Sequence, residues 1–173
     1  VLSRLGLVLE EHVDLENLLE VARSAPSLSA PPAVSRTTSD PRVTIGVFRD
    51  SAFTFYYPEN LESLAAEGAE IVPVSALDDS LLPEVDLLYI GGGFPETHAA
   101  ALAQNRSMIE SVAAAARDGL PVYAECGGLI YLSRSVTWRG QTAEMAGVLG
   151  VDIVVEERPQ GHGYAEMVVD DAN

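Results

Sequence analysis

The sequence predicts an α/β fold: a mostly parallel sheet with helices on both faces. Three observations predict it. Short β-branched apolar runs alternate with helical patterns from Arg42 to Ser133, and that alternation makes βαβ units, hence a parallel sheet covered by its own crossovers. Apolar residues make up 47% of the 173 and charged residues 21%, enough for one sizeable core at an ordinary globular charge content. The length is that of one domain or slightly more.

The elements follow in chain order. After a short apolar start, leucine and valine recur at three- and four-residue spacing over Val13–Ala22, with Asp14 placed as N-cap, which predicts a helix. Residues 24–41 are rich in Ser, Pro, Thr and Ala and read as a linker. A helix, a linker and a fresh start predict the tail of an upstream domain over 1–23 and a compact unit over 42–173. In that unit Val43–Phe48 reads as a buried strand. Pro58–Gly68 opens with proline and closes on glycine, as helices do. Glu70–Val74 and Val85–Ile90 are the second and third strands. Thr97–Leu102 and Arg106–Asp118 read as helices, and Pro121–Glu125 is a fourth strand running into a helical stretch, Leu129–Ser133. Beyond Trp138 the pattern turns to strands, over Met145–Val155 and Tyr164–Val169.

Charge and cysteine content exclude several classes. All 10 basic residues are arginine, and 26 acids leave a formal charge of −16. Such a surface repels phosphate backbones and anionic lipid, so neither nucleic acid nor a membrane is expected as a partner. The acidity fits a surface adapted for solubility. The absence of lysine removes a P-loop lysine, a Schiff-base lysine and a lysine base. One cysteine, Cys126, forms no intrachain disulfide and builds no cysteine-rich zinc module. No apolar run reaches the ~18 residues of a membrane span, and the start shows no signal peptide, so the expected compartment is the cytoplasm.

In an open parallel sheet, ligands bind at the carboxyl ends of the strands. Two motifs sit there. Gly91-Gly92-Gly93 follows the third strand; it fits either a sharp strand-to-helix turn or a loop that points bare amides at an anion or oxyanion. Cys126 lies between a strand and a helix, flanked by Ala124, Gly127 and Gly128. A lone cysteine is usually an inert core residue, but small neighbours at a strand end permit a nucleophile elbow. The dipole and free amides of a helix start favour thiolate, the reactive species, and the N–H of Gly127 is where an oxyanion donor is expected. A cysteine hydrolase also needs a base, commonly histidine. His12 falls in the upstream piece, His98 follows the glycine loop, and His162 sits between glycines in a loop; none stands out. Glu125 is expected to hydrogen-bond beneath the elbow, its side chain alternating away from the sulfur.

Three stretches together, Asp50–Leu61, Tyr89–Glu96 and Leu120–Leu132, resemble the glutamine amidotransferase domain of the cobyrinate a,c-diamide synthase family, in order and at consistent spacing. The resemblance runs from about Val43 to Val169 and implies a flavodoxin-like class I glutamine amidotransferase fold. It implies that Cys126 attacks the side-chain amide of glutamine, giving a thioester and ammonia, with Gly127 and the Gly92-Gly93 turn as oxyanion hole. It implies ATP and Mg2+ on a preceding synthetase domain that activates the a and c acetates of a corrinoid, and no cofactor or metal within this segment. The family's catalytic histidine lies near the end of its full domain; no matching segment precedes Asn173, so the segment is expected to be incomplete and by itself a poor glutaminase. Glu96 is expected to anchor the glycine loop or to meet the amino group of glutamine. Relatives that amidate a nickel sirohydrochlorin, and a non-catalytic docking module of the same fold, stay open as alternatives, as does a homodimer.

Overall fold

The computed structural model describes residues 2–27, 42–158 and 160–161. The chain divides into two compact units, Val1–Val34 and Ser35–Asn173. The first holds two helices, α1 (Leu2–His12) and α2 (Leu15–Ser24). Asp14 caps α2, its carboxylate accepting from the Asn17 amide at 3.0 Å. The apolar start, expected only as a short piece, is a full helix because Leu2, Leu5 and Leu9 recur at helical spacing. Neither helix has a buried residue. Residues 28–41 of the expected linker lie outside the described residues.

The second unit is built on four parallel strands, β1 (Val43–Phe48), β2 (Ala69–Val74), β3 (Leu87–Ile90) and β4 (Val122–Ala124), in the order β2-β1-β3-β4. Helix α3 (Pro58–Ala66) carries the chain from β1 to β2, and Gly68, at φ +100°, turns it back into the sheet. A 3₁₀ turn (Pro95–His98) with helices α4 (Ala99–Gln104) and α5 (Arg106–Arg117) joins β3 to β4. Asn105 caps α5 and also donates to the carbonyls of Ala76 and Asp79, pinning the helix start to the loop beyond β2.

Strand alternation sends side chains to two faces. Phe48, Leu88 and Ile90 meet Leu102, Met108 and Val112 in the main core. There Phe48, Phe53 and Tyr131 form a ring cluster with centroids 5.2–5.8 Å apart. Ile45, Val47 and Tyr89 face the other way, against Leu61 and Leu64 of α3. Helices therefore cover both faces, as expected, but the second cover is incomplete. Ile45, Leu64, Leu87, Tyr89 and Tyr123 line an open groove of about 500 Å³, and Tyr123 remains 56% exposed.

After α6 (Gly127–Leu132) comes a small mixed sheet in the order β6-β5-β7, from β5 (Ser135–Trp138), β6 (Gln141–Glu144) and β7 (Asp152–Val155). The β5–β6 hairpin was not expected, and Met145 to Gly150 is loop where strand was expected. Arg139 (φ 50°) and Gly140 (φ 75°) make its turn, the double positive φ that suits strand twist, while the Arg139 guanidinium stacks 4.5 Å from the Trp138 ring. Met145 and Ala146 are buried in the core instead. Arg134 pairs with Asp152, tying the start of β5 to β7 and holding the Asp152 carboxyl below its ordinary range. Tyr164–Val169 lies outside the described residues. No described helix is long and apolar enough to cross a membrane.

Candidate active site

Three loops meet at the carboxyl end of the sheet: residues 49–57 after β1, Gly91–Phe94 after β3, and Glu125–Gly128 after β4. The last is a sharp bend. Cys126 has φ 50° and ψ −106°, a region a residue with a Cβ enters only under strain. The bend leaves Cys126 exposed and starts α6 at Gly127, two residues ahead of the expected Leu129. It closes tightly on the sheet: a Cβ on Gly128 would lie 2.4 Å from the Ile90 carbonyl oxygen.

The glycine loop owes its composition to close approach rather than to a left-handed turn, since none of its three glycines has a positive φ. A Cβ on Gly93 would lie 2.0 Å from the Ala52 oxygen. The same proximity brings the loop to the elbow. The Cβ position of Gly92 is 3.6 Å from the Cys126 Cβ, and that of Gly127 is 3.1 Å from the Gly93 nitrogen. The Gly128 amide donates to the Gly91 carbonyl at 3.1 Å and locks the two loops together.

Their amides differ in availability. The Gly92 N–H donates to the Phe55 carbonyl at 3.3 Å. Those of Gly93 and Gly127 donate to no acceptor among the described residues, although both residues are buried.

The loop after β1 holds this arrangement from behind. Asp50 accepts from the amides of Ala52 (2.8 Å), Phe53 (3.2 Å) and Leu77 (3.2 Å). Phe53 is buried in the core, and Phe55 pairs with Gly92 in an antiparallel bridge. Tyr56 accepts from the Gly91 amide at 2.9 Å and donates to the Phe48 carbonyl. Burial, opposed by the Gly91 bond, pushes its phenol up to about 12. Tyr56, Tyr89 and Tyr123 then stack edge to face, centroids 5.2 Å apart. The Tyr89 hydroxyl donates to Glu125 Oε1 at 2.7 Å; burial, with that bond, raises its phenol above the ordinary range.

These loops enclose a cleft of about 350 Å³, lined by Cys126, Glu125, Gly92, Phe55, Tyr56 and Tyr57 among others. The aromatic residues were not singled out from the sequence as parts of a site. The signal that finds them is a run of aromatics just beyond the end of a parallel strand, where ligands bind. Glu96 lines a different cavity, with Arg106 and Trp138. His98 does not line the cleft; its Nε2 pairs with Ser51 Oγ at 3.0 Å and its Nδ1 with Thr97 Oγ1 at 2.9 Å. His12 is in α1, in the other unit, and His162 lies outside the described residues. Among the described residues no group of three or more His, Cys, Asp or Glu could hold a metal ion.

Comparison with known proteins gives a consistent result. The CobB/CobQ-like glutamine amidotransferase domain family matches residues 44–173. The cobyrinate a,c-diamide synthase of Magnetococcus marinus is 43% identical over 169 residues, covering 94% of this chain and 36% of that protein. That of Methanothermobacter thermautotrophicus is 43% identical over 173 residues, covering 98% and 38%. That of Archaeoglobus fulgidus is 41% identical over 166 residues, covering 95% and 36%. The chain thus spans little more than a third of the length of these curated relatives. Residues 44–173 match the family over most of the chain, and the chain belongs to the CobB/CobQ-like glutamine amidotransferase domain family.

Proposed function

We propose that this chain is the glutamine-hydrolysing part of an ATP-dependent amidoligase that converts the a and c acetate side chains of cobyrinate to amides. The observation that carries the glutaminase reading is the pair of amides, Gly93 and Gly127, that donate to no acceptor among the described residues, in two loops that meet at an exposed sulfur held at positive φ. The Cys126 thiolate adds to the side-chain amide carbon of glutamine. The oxygen of that amide takes the developing negative charge toward the Gly93 and Gly127 N–H groups, where preorganised donors contribute ~3 kcal/mol each. The amide nitrogen takes up the proton that the Cys126 thiol gave up, and collapse of this intermediate then breaks the C–N bond, expels ammonia and leaves a glutamyl thioester, which water hydrolyses to glutamate and the free thiol. Gly92 contributes close approach, its own amide being engaged by Phe55.

The corrinoid reading rests on the names of the relatives. ATP and Mg2+ belong in this proposal to a synthetase domain outside this sequence, whose 173 residues contain no lysine for a P-loop. The proposal predicts that 6-diazo-5-oxo-L-norleucine, an electrophilic glutamine mimic, attaches to Cys126 and that Cys126→Ala abolishes the adduct. Mass spectrometry of the treated chain checks it. A sulfur that reacts only after denaturation would identify an inert docking module.

A further inference from the structure

We propose that Glu125 is the group that binds the α-ammonium of glutamine, an inference that rests on the glutaminase reading above. The cleft beside Cys126 has aromatic walls, and among the described residues Glu125 is the single carboxylate that lines it. Its neighbour in the wall, Tyr56, stays a neutral phenol far into the alkaline range. The Glu125 side chain is oriented on one oxygen only. Oε1 accepts from Tyr89 at 2.7 Å, while Oε2 takes no donor among the described residues. Tyr89 is itself wedged between Tyr56 and Tyr123, so the carboxylate is aimed before any ligand arrives and loses little freedom on binding.

The substrate's dimensions match this placement. With the amide carbon at Cys126 and its oxygen toward Gly93 and Gly127, an extended glutamine side chain sets the α-nitrogen ~5 Å from the reacting carbon. Glu125, expected to turn away from the sulfur, instead lines the same cleft as Cys126, so an α-nitrogen at that distance lies on its side of the site. Phe55 and Tyr57, 56% and 73% exposed, border the same cleft, and ring faces favour a cation. The opposite orientation would bring the α-carboxylate of glutamine against Glu125, like charge on like charge. Glu96, the alternative acid for this role, lines another cavity.

The test compares labelling rates of Cys126 by 6-diazo-5-oxo-L-norleucine and by 6-diazo-5-oxohexanoate, the same electrophile without the α-amine. The ratio of the two rates cancels any change in the sulfur's own reactivity. The native chain should prefer the amine-bearing reagent by about tenfold, a typical contribution for a charge-assisted hydrogen bond. Glu125→Gln, which still accepts from Tyr89, should bring the ratio near one while the hexanoate continues to react. Tyr89→Phe, which frees the carboxylate to swing, should give an intermediate ratio. A merely structural Glu125 would leave the ratio unchanged in Glu125→Gln, and that result overturns the proposal, as does a native ratio of one. If neither diazoketone labels native Cys126 while iodoacetamide does, the glutaminase reading fails and this inference falls with it.

Discussion

Cys126 and Gly93 show how single residues carry the site. Holding a side chain at φ 50°, ψ −106° costs of order 1–3 kcal/mol, and glycine relieves most of that cost. Cys126→Gly should therefore raise stability in urea by about 1 kcal/mol while it removes all diazoketone labelling. At Gly93 the constraint is space. A methyl group there meets the Ala52 oxygen at 2.0 Å, so Gly93→Ala should lower stability by about 3 kcal/mol, measured by the urea midpoint. The elbow was legible in the sequence because a cysteine followed by two glycines at a strand end has few other uses. The role of the triple glycine was only half legible: composition announces missing side chains, but whether a glycine serves torsion or proximity depends on what lies opposite, here Ala52 and Phe55.

At the scale of elements, the loop after β1 is what aligns the other two. Asp50 organises it by accepting three backbone amides, and Asp50→Ala leaves those donors unsatisfied. We expect a loss of about 2 kcal/mol, together with slower labelling of Cys126, because Phe55 and Tyr56 would no longer hold Gly91 and Gly92. Urea unfolding and labelling kinetics on one preparation check both parts. Strand β1 and helix α3 were readable because each has a sharp signal: a β-branched run, and a proline start with a glycine stop. The hairpin β5–β6 was not, since four-residue strands give too little alternation to recognise, and its turn puts arginine, not asparagine or aspartate, at the first positive-φ position. The second half of the 3₁₀ turn, Thr97 and His98, was read as the start of an ordinary helix for a similar reason, as one turn carries no period.

Across the whole molecule, Tyr56 and Tyr89, whose phenols burial pushes upward, set a limit on alkaline stability. The Tyr56 phenol ionises near 12 in the folded state and near 10 when unfolded, so the native form holds its proton more tightly. Its contribution is fully present below pH ~10 and is lost as the pH rises toward 12, about 1–2 kcal/mol after allowing for its partial exposure. Unfolding midpoints measured from pH 8 to 11.5 should fall over that upper window, less so in Tyr56→Phe. The α/β class and strand sequence were legible because they follow from a repeating local pattern. The bare groove on the α3 side was not, because cover is a matter of what crosses a face and no strand records its own neighbours. That groove has a practical consequence for anyone handling the purified protein. Ile45, Leu87 and Tyr123 line an apolar ledge beside β4, the last strand of the sheet among the described residues, and a formal charge of −16 opposes contact between copies there at neutral pH. Acidified to its isoelectric point, about 4.3, the solution should turn cloudy, and it should clear again on return to neutral pH.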